Sequence, residues 1–165
     1  MSEPKDRPGL GRRGEMLVAI QFALMIIFVV TPVWHPGLSR DLFGDLLLPR
    51  LILAVPFALA ALVLGVMGSH HIREYLTPLP YPVDHSKLVQ HGVYGIVRHP
   101  LYTSLLSAAL AWTLYSISLS HLLLLALGFL FFDFKARKEE AWLTERHPEY
   151  RGYAARVSKF IPWLY

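Results

Sequence analysis

The chain has 165 residues, of which 54% are hydrophobic and only 17% are charged. Ordinary water-soluble domains are about 45–50% apolar and about 25% charged, so this composition is typical of a membrane protein. The absence of cysteine excludes a disulfide scaffold, an iron–sulfur cluster, a cysteine zinc site and a thiol nucleophile. The net charge of +4 comes from lysines and arginines at the ends of apolar segments, which indicates membrane topology and not nucleic-acid binding.

Four apolar segments are predicted to cross the membrane as helices, because a span needs about 20 apolar residues. They lie at about 16–34, 46–68, 101–120 and 121–140. A cleaved signal peptide is the competing interpretation of the first, but no small-residue cleavage site follows it. We therefore expect an all-α, polytopic membrane bundle that forms a single domain over residues 1–165.

The last two apolar segments are separated only by a short polar stretch, which predicts a tight helical hairpin. Good helix formers continue beyond the fourth segment as far as Pro148, so its helix is predicted to begin in lipid and emerge into water. Lysines and arginines cluster before the first span, between the second and third, and after the fourth. The positive-inside rule then predicts an integral membrane protein, in the inner membrane if bacterial, with both termini and segments 69–100 and 135–165 on the cytoplasmic side.

The segment between the second and third spans is predicted to be an ordered loop. Three prolines between residues 78 and 82 impose extended backbone. Gly92 and Gly95 bracket Tyr94 and permit tight turns, while Arg98 and His99 lead into the third span. Singly, a tyrosine, arginine or histidine at such a position is more often a membrane flank or a turn residue than a ligand. Here four such residues are concentrated within the nine positions from Tyr94 to Tyr102.

The tail carries paired carboxylates, Glu139 and Glu140, where the last helix emerges. Lys135 stands four residues before Glu139, so a solvated salt bridge is the simplest explanation of the pair, although paired carboxylates also suit a cationic ligand. After Pro148, apolar residues from Tyr150 to Ile161 recur at helical spacing. This pattern predicts an amphipathic helix that lies in the interface and covers the site from below.

Three motifs in this order resemble those of a known family. HGVYGIVRHPLY at 91–102, KEEAWL at 138–143 and EYRGYAARVSKFIP at 149–162 are similar to the isoprenylcysteine carboxyl methyltransferases, a pattern that the related phospholipid methyltransferases share. The resemblance covers more than half of the chain. It implies an integral membrane enzyme that binds S-adenosylmethionine on the cytoplasmic side and methylates a lipophilic small molecule reaching it through the membrane lipids.

The resemblance also implies the roles of particular residues. The cofactor-binding residues would be Lys87, Leu88, Val89, Tyr94, His99, Pro100, Tyr102 and Glu139. The basic residue that faces the acceptor would be Lys135, where the prenylcysteine enzymes have Arg, with Arg137 as the nearest guanidinium. Lysine cannot form the bidentate fork of arginine on a carboxylate, and this departure weakens the case for a prenylcysteine acid. The acceptor implied is a prenylated cysteine-like carboxylate or another lipid-like small molecule.

Methyl transfer from a sulfonium depends mainly on positioning and exclusion of water. It therefore requires no metal. A carboxylate acceptor would need no general base, whereas an amine or phenol would need Glu140, Glu139 or His99 to take a proton.

Three other functions are compatible with the sequence. A nicotinamide-dependent membrane reductase has a similar C-terminal pattern. A haem or metal protein would use some of the eight histidines, but a transmembrane haem site needs histidines inside spans. The third is a non-catalytic membrane protein that has kept the scaffold.

Overall fold

The computed structural model describes residues 14–73 and 88–165, and within them the chain is helical. The α-helices are α1 (Glu15–Val30), α2 (Arg40–Asp45), α3 (Leu47–His71), α4 (Pro100–Ser116), α5 (Leu119–Arg146) and α6 (Tyr150–Ala154). A short 3₁₀ helix at Gly92–Gly95 precedes α4. The predicted all-α class is confirmed.

Two helices, α3 and α5, are long and apolar enough to cross a membrane, and α1 is a shorter apolar helix. Large apolar side chains on these helices are exposed, as lipid-facing surfaces require. The four-span topology stays a prediction. The first helix ends at Val30 instead of the predicted residue 34, because Thr31 precedes Pro32 and takes extended backbone, as residues before proline do.

Helices α3 and α4 pack closely through small residues. Ser104 Oγ donates a hydrogen bond of 2.8 Å to the carbonyl of Ala61, and a Cβ placed on Gly65 would lie 2.8 Å from that oxygen. A Cβ on Gly68 would lie 3.0 Å from Leu101. Glycine at these positions therefore permits the approach that brings the first turn of α4 beside the last turns of α3.

The predicted hairpin between the third and fourth long helices is present. Ile117 adopts the left-handed region with φ 48° and ends α4. Ser118 then caps α5 by accepting a hydrogen bond from the backbone of His121. Helix α5 runs without interruption from Leu119 to Arg146, as the helix formers before Pro148 predict.

The C-terminal tail differs from the prediction. Helix α6 contains only five residues, and the predicted amphipathic helix from Tyr150 to Ile161 is wrong. Beyond α6 the chain runs beside the start of α4, where the backbone N–H groups of Arg98 and His99 donate to the carbonyls of Ser158 and Lys159, at 2.8 and 3.2 Å. These donors precede the helix and have no intrahelical acceptor. The non-helical tail satisfies them at the bridge between Val97 and Ser158, whereas the carbonyls of a continuous helix would be used within it.

The tail is anchored in the bundle by Phe160. Its side chain is 2% exposed and packs with Phe132 and Ala136 of α5. This cluster lies directly beside Tyr102. The fold therefore gathers the start of α4, the emerging half of α5 and the tail at one end of the bundle.

Candidate functional site

The acidic pair, Glu139 and Glu140, meets the first turn of α4. Tyr102 Oη donates a 2.9 Å hydrogen bond to Glu139 Oε2. The imidazole of His99 lies between the two carboxylates, with Nε2 3.0 Å from Glu140 Oε1 and Nδ1 3.7 Å from Glu139 Oε2. His99 is almost fully buried, whereas the Glu139 side chain is 26% exposed. Glu139 is thus the carboxylate that a ligand can reach.

Arg98 joins the acidic pair to the tail. Its Nε donates a 2.8 Å hydrogen bond to Glu140 Oε1, and its Nη1 donates to the carbonyls of Ala154 (3.0 Å) and Val157. The guanidinium is 11% exposed and the Glu140 side chain 18%. A charged pair with this little exposure is poorly screened by solvent, so Arg98 holds both Glu140 and the tail in place.

An aromatic stack fixes the orientation of His99 and Tyr102. Their rings are nearly parallel, 7° apart in plane, with centroids separated by 5.4 Å. Tyr102 in turn stacks on Phe132 at 5.1 Å. Stacked rings packed on a buried phenylalanine have few alternative rotamers, so the phenol is held towards Glu139.

The 3₁₀ helix places Tyr94 against the end of α3. Gly92 has φ 62°, and a Cβ there would collide with the ring of His71, so this turn requires glycine. Tyr94 Oη donates to the carbonyl of Gly68 at 3.5 Å, and Tyr153 Oη donates to the carbonyl of Tyr94 at 2.6 Å. Burial raises the pKa of both phenols, and the charge of Glu139 further raises the pKa of Tyr94. Both therefore stay protonated near neutral pH.

Lys135 points into the bundle. It is 2% exposed, its Nζ donates to Gln21 Oε1 of α1, and the same nitrogen lies 5.1 Å from the centroid of the Tyr102 ring. Lys135 is therefore not paired with Glu139, and the predicted salt bridge between them is wrong. An apolar cavity of about 280 Å³ between α1, α4 and α5 is lined at one end by Gln21 and Phe132.

Several sequence-predicted residues lie apart from this cluster. Arg137 is 67% exposed and donates to Asp133 at 2.7 Å, so it faces away from Lys135. Leu88 and Val89 are half-buried, and Pro100 is buried at the first helical position of α4. Lys87, the prolines between 78 and 82, and His85 lie outside the described residues.

Sequence reasoning does not predict the contributions of Gln21, Asp133 and Phe160. Gln21 is a polar residue in an apolar segment, and an amide in a span is itself a signal of a specific partner. Asp133 accepts hydrogen bonds of 2.7 Å from Lys159 and Tyr165, and with Phe160 it secures the tail. Nothing in the local sequence indicates these tail contacts.

Among the described histidines, His99 belongs to this cluster, and three others lie at or near the end of α3. The rings of His71 and His91 lie 5.3 Å apart, and His70 neighbours His71. Within residues 14–73 and 88–165, no group of three or more histidine, aspartate or glutamate side chains is placed to hold a metal ion.

Comparison with known proteins gives one match. Residues 49–151, more than half of the chain, match the model of the phospholipid methyltransferase family. This range includes the first turn of α4, Lys135 and the acidic pair. No curated protein and no solved structure is significantly similar to the chain.

Proposed function

Because the chain belongs to the phospholipid methyltransferase family, a family of membrane methyltransferases, we propose that it methylates a lipophilic acceptor with S-adenosylmethionine at the cytoplasmic membrane face. The observation that carries this proposal is the hydrogen bond between Tyr102 and Glu139. It joins the HPLY motif at the start of α4 to the paired glutamates of α5, although the two bonded residues are 37 positions apart in the chain.

The residues at this end of the bundle fit a cationic cofactor. When bound, S-adenosylmethionine supplies an electrophilic methyl group on a positively charged sulfur. The phenol ring of Tyr94 offers a face to such a charge, an attraction of about 0.5–2 kcal/mol when desolvated. The ring of Tyr102 already stacks on His99 and Phe132, so Tyr102 contributes by orienting Glu139 through its hydroxyl. Glu139, the more exposed of the acidic pair, offers a carboxylate. The remaining contacts, from Lys87, Leu88, Val89, His99 and Pro100, are proposed from the family pattern.

Glu140 acts in this proposal as a positioning residue. It accepts hydrogen bonds from Arg98 and His99, and a carboxylate that is paired with a guanidinium is stabilised as the anion. Such a group is a poor proton acceptor. Its contribution is to fix the His99 ring on which Tyr102 stacks.

Lys135 is the residue proposed to face the acceptor. It stands beside Tyr102 and donates to Gln21, which lines one end of the α1–α4–α5 cavity. The apolar walls of this cavity suit a lipid chain. Its ammonium favours an anionic acceptor group, because a cationic head group would be repelled at close range. This charge favours a lipid carboxylate over an aminophospholipid. Arg137 is too exposed and too far around the helix to share the role.

The proposal is tested with S-adenosylmethionine carrying a tritiated methyl group, purified protein and native lipid extract. We expect label in the organic phase that alkali releases as methanol, because a methyl ester is hydrolysed whereas an N-methyl group is not. Glu139→Gln should reduce incorporation at least about 10-fold through loss of a charge-assisted contact. Glu145→Gln, an exposed carboxylate on the same helix, is the matched control. Absence of lipid label, or equal incorporation by the two variants, would contradict the proposal.

A further inference from the structure

Arg50 is a buried cation at the other end of the bundle from the candidate site. Arg50 lies on the first turn of α3 and is 5% exposed. Nη1 donates a 2.8 Å hydrogen bond to the carbonyl of Phe43, while Nε is buried with no acceptor among the described residues. Within that part of the chain, Arg50 also forms no ion pair. The structure therefore leaves this guanidinium without a counter-charge.

Aromatic rings hold the guanidinium in place without neutralising it. Its Cζ lies 3.7 Å from the centroid of Phe43 and 4.7 Å from that of Tyr115. Cation–π contacts orient a charge, but burying an unpaired ion remains strongly unfavourable. A buried, oriented and unpaired cation is the arrangement expected where an anion binds.

A cavity of about 630 Å³ adjoins Arg50. That volume is in the range of small-molecule sites. The walls include Leu53 of α3, Leu114 of α4 and Leu119 of α5. A buried cation beside apolar walls matches an amphiphile with an anionic head group.

We propose that this cavity binds the phosphate of an anionic lipid, with the phosphate on Arg50 and an acyl chain along Leu53 and Leu114. Eighteen residues of α3 separate Arg50 from Gly68 of the candidate site, which is about 27 Å at 1.5 Å per residue. The lipid site is thus distinct from the methyltransferase site and lies in the opposite leaflet if α3 spans the membrane. The proposal does not depend on the proposed function.

The test uses the full-length protein in detergent with equal amounts of phosphatidylglycerol and phosphatidylcholine, and native mass spectrometry as the readout. Wild type should retain phosphatidylglycerol selectively. Arg50→Gln should bind it about 10-fold or more weakly, because a charge-assisted hydrogen bond is lost. Arg40→Gln, which removes an exposed cation from neighbouring α2, is the control and should bind as wild type does.

Leu114→Trp keeps Arg50 but fills the cavity, so this variant should also lose selective binding of phosphatidylglycerol. It tests the proposal even if Arg50→Gln does not fold. Unchanged selectivity in either cavity variant, or equal loss in Arg40→Gln, would overturn the proposal. A further arm adds inorganic phosphate alone. If phosphate stabilises wild type but not Arg50→Gln, and phosphatidylglycerol shows no selectivity, the ligand is a free oxyanion and the lipid assignment fails.

Discussion

Replacing Arg98 by alanine is expected to release the tail from the site. Arg98 forms an ion pair with Glu140 and donates to the carbonyls of Ala154 and Val157. Alanine leaves the carboxylate and both carbonyls without these donors in a region where little water enters. The tail loses every side-chain contact that Arg98 provides, and it keeps its backbone pairing, Phe160 and the contacts of Lys159 and Tyr165 with Asp133.

The magnitude follows from burial. Removing one partner of a buried ion pair costs about 3–5 kcal/mol, and the exposures of 11% and 18% place this pair close to that class. For a chain of 150–250 residues, about 2–4 °C of melting temperature accompany each kcal/mol. Arg98→Ala should therefore lower the melting temperature by about 6–20 °C.

The assay is thermal unfolding of the purified protein in one detergent, with Arg137→Ala as the matched control. Arg137 also pairs with an aspartate, but it is 67% exposed, so its loss should cost at most about 1 kcal/mol. A double variant with Arg98→Ala and Glu140→Gln should be less destabilised than the sum of its parts, since the two groups interact directly. Equal shifts for Arg98→Ala and Arg137→Ala, or strict additivity in the double variant, would refute this reasoning.

Three further outcomes are expected. Gly92→Ala should destabilise the protein by about 1–3 kcal/mol in thermal unfolding, because φ is 62° there. Gly95→Ala should cost less, since the nearest contact of an added Cβ is 3.4 Å away. Similar costs for the two variants would contradict the requirement for glycine at position 92. Lys135→Met should abolish labelled methyl transfer with the fold intact by gel filtration, and exposed Lys138→Met should not; full activity of the first would remove Lys135 from the acceptor site. A reporter fused after Tyr165 should be cytoplasmic, and a signal from the opposite side would contradict the four-span topology.

The helices were predictable where local chemistry decides them. Apolar runs and an uninterrupted series of helix formers predict α3 and α5, and the polar interval around Ser118 predicts the hairpin. Helix α2 was not predicted, although Ser39 caps it by accepting a hydrogen bond from Leu42. A six-residue helix carries too little periodicity to stand out from its neighbours.

The course of the tail could not be read from its own residues. Apolar spacing from Tyr150 onward favours a helix locally, but the backbone donors of Arg98 and His99 favour a non-helical tail whose carbonyls are free to accept. These donors lie in a different part of the chain, so the sequence of the tail carries no signal of them. The same limit applies to Arg98 and Glu140, since nothing in the spacing shows that the second glutamate of the pair is the one that accepts from Arg98.

The orientation of the basic residues on α5 was only partly predictable. Lys135 and Arg137 are two residues apart, about 200° around a helix of 3.6 residues per turn, so they must face opposite sides. The sequence does not decide which one faces inward. The structure selects Lys135, because Gln21 of α1 supplies an acceptor inside the bundle and Asp133 supplies one for Arg137 outside.

The most direct test of the account compares how S-adenosylhomocysteine and NADPH each stabilise the purified protein against thermal unfolding. A ligand that binds the folded state at 100 times its dissociation constant adds about 2.7 kcal/mol of stability, which thermal unfolding detects. S-adenosylhomocysteine should raise the melting temperature of wild type and have no effect on Tyr102→Ala, while NADPH should leave both unchanged. Stabilisation by NADPH and not by S-adenosylhomocysteine would contradict methyl transfer and favour a reductase on the same scaffold.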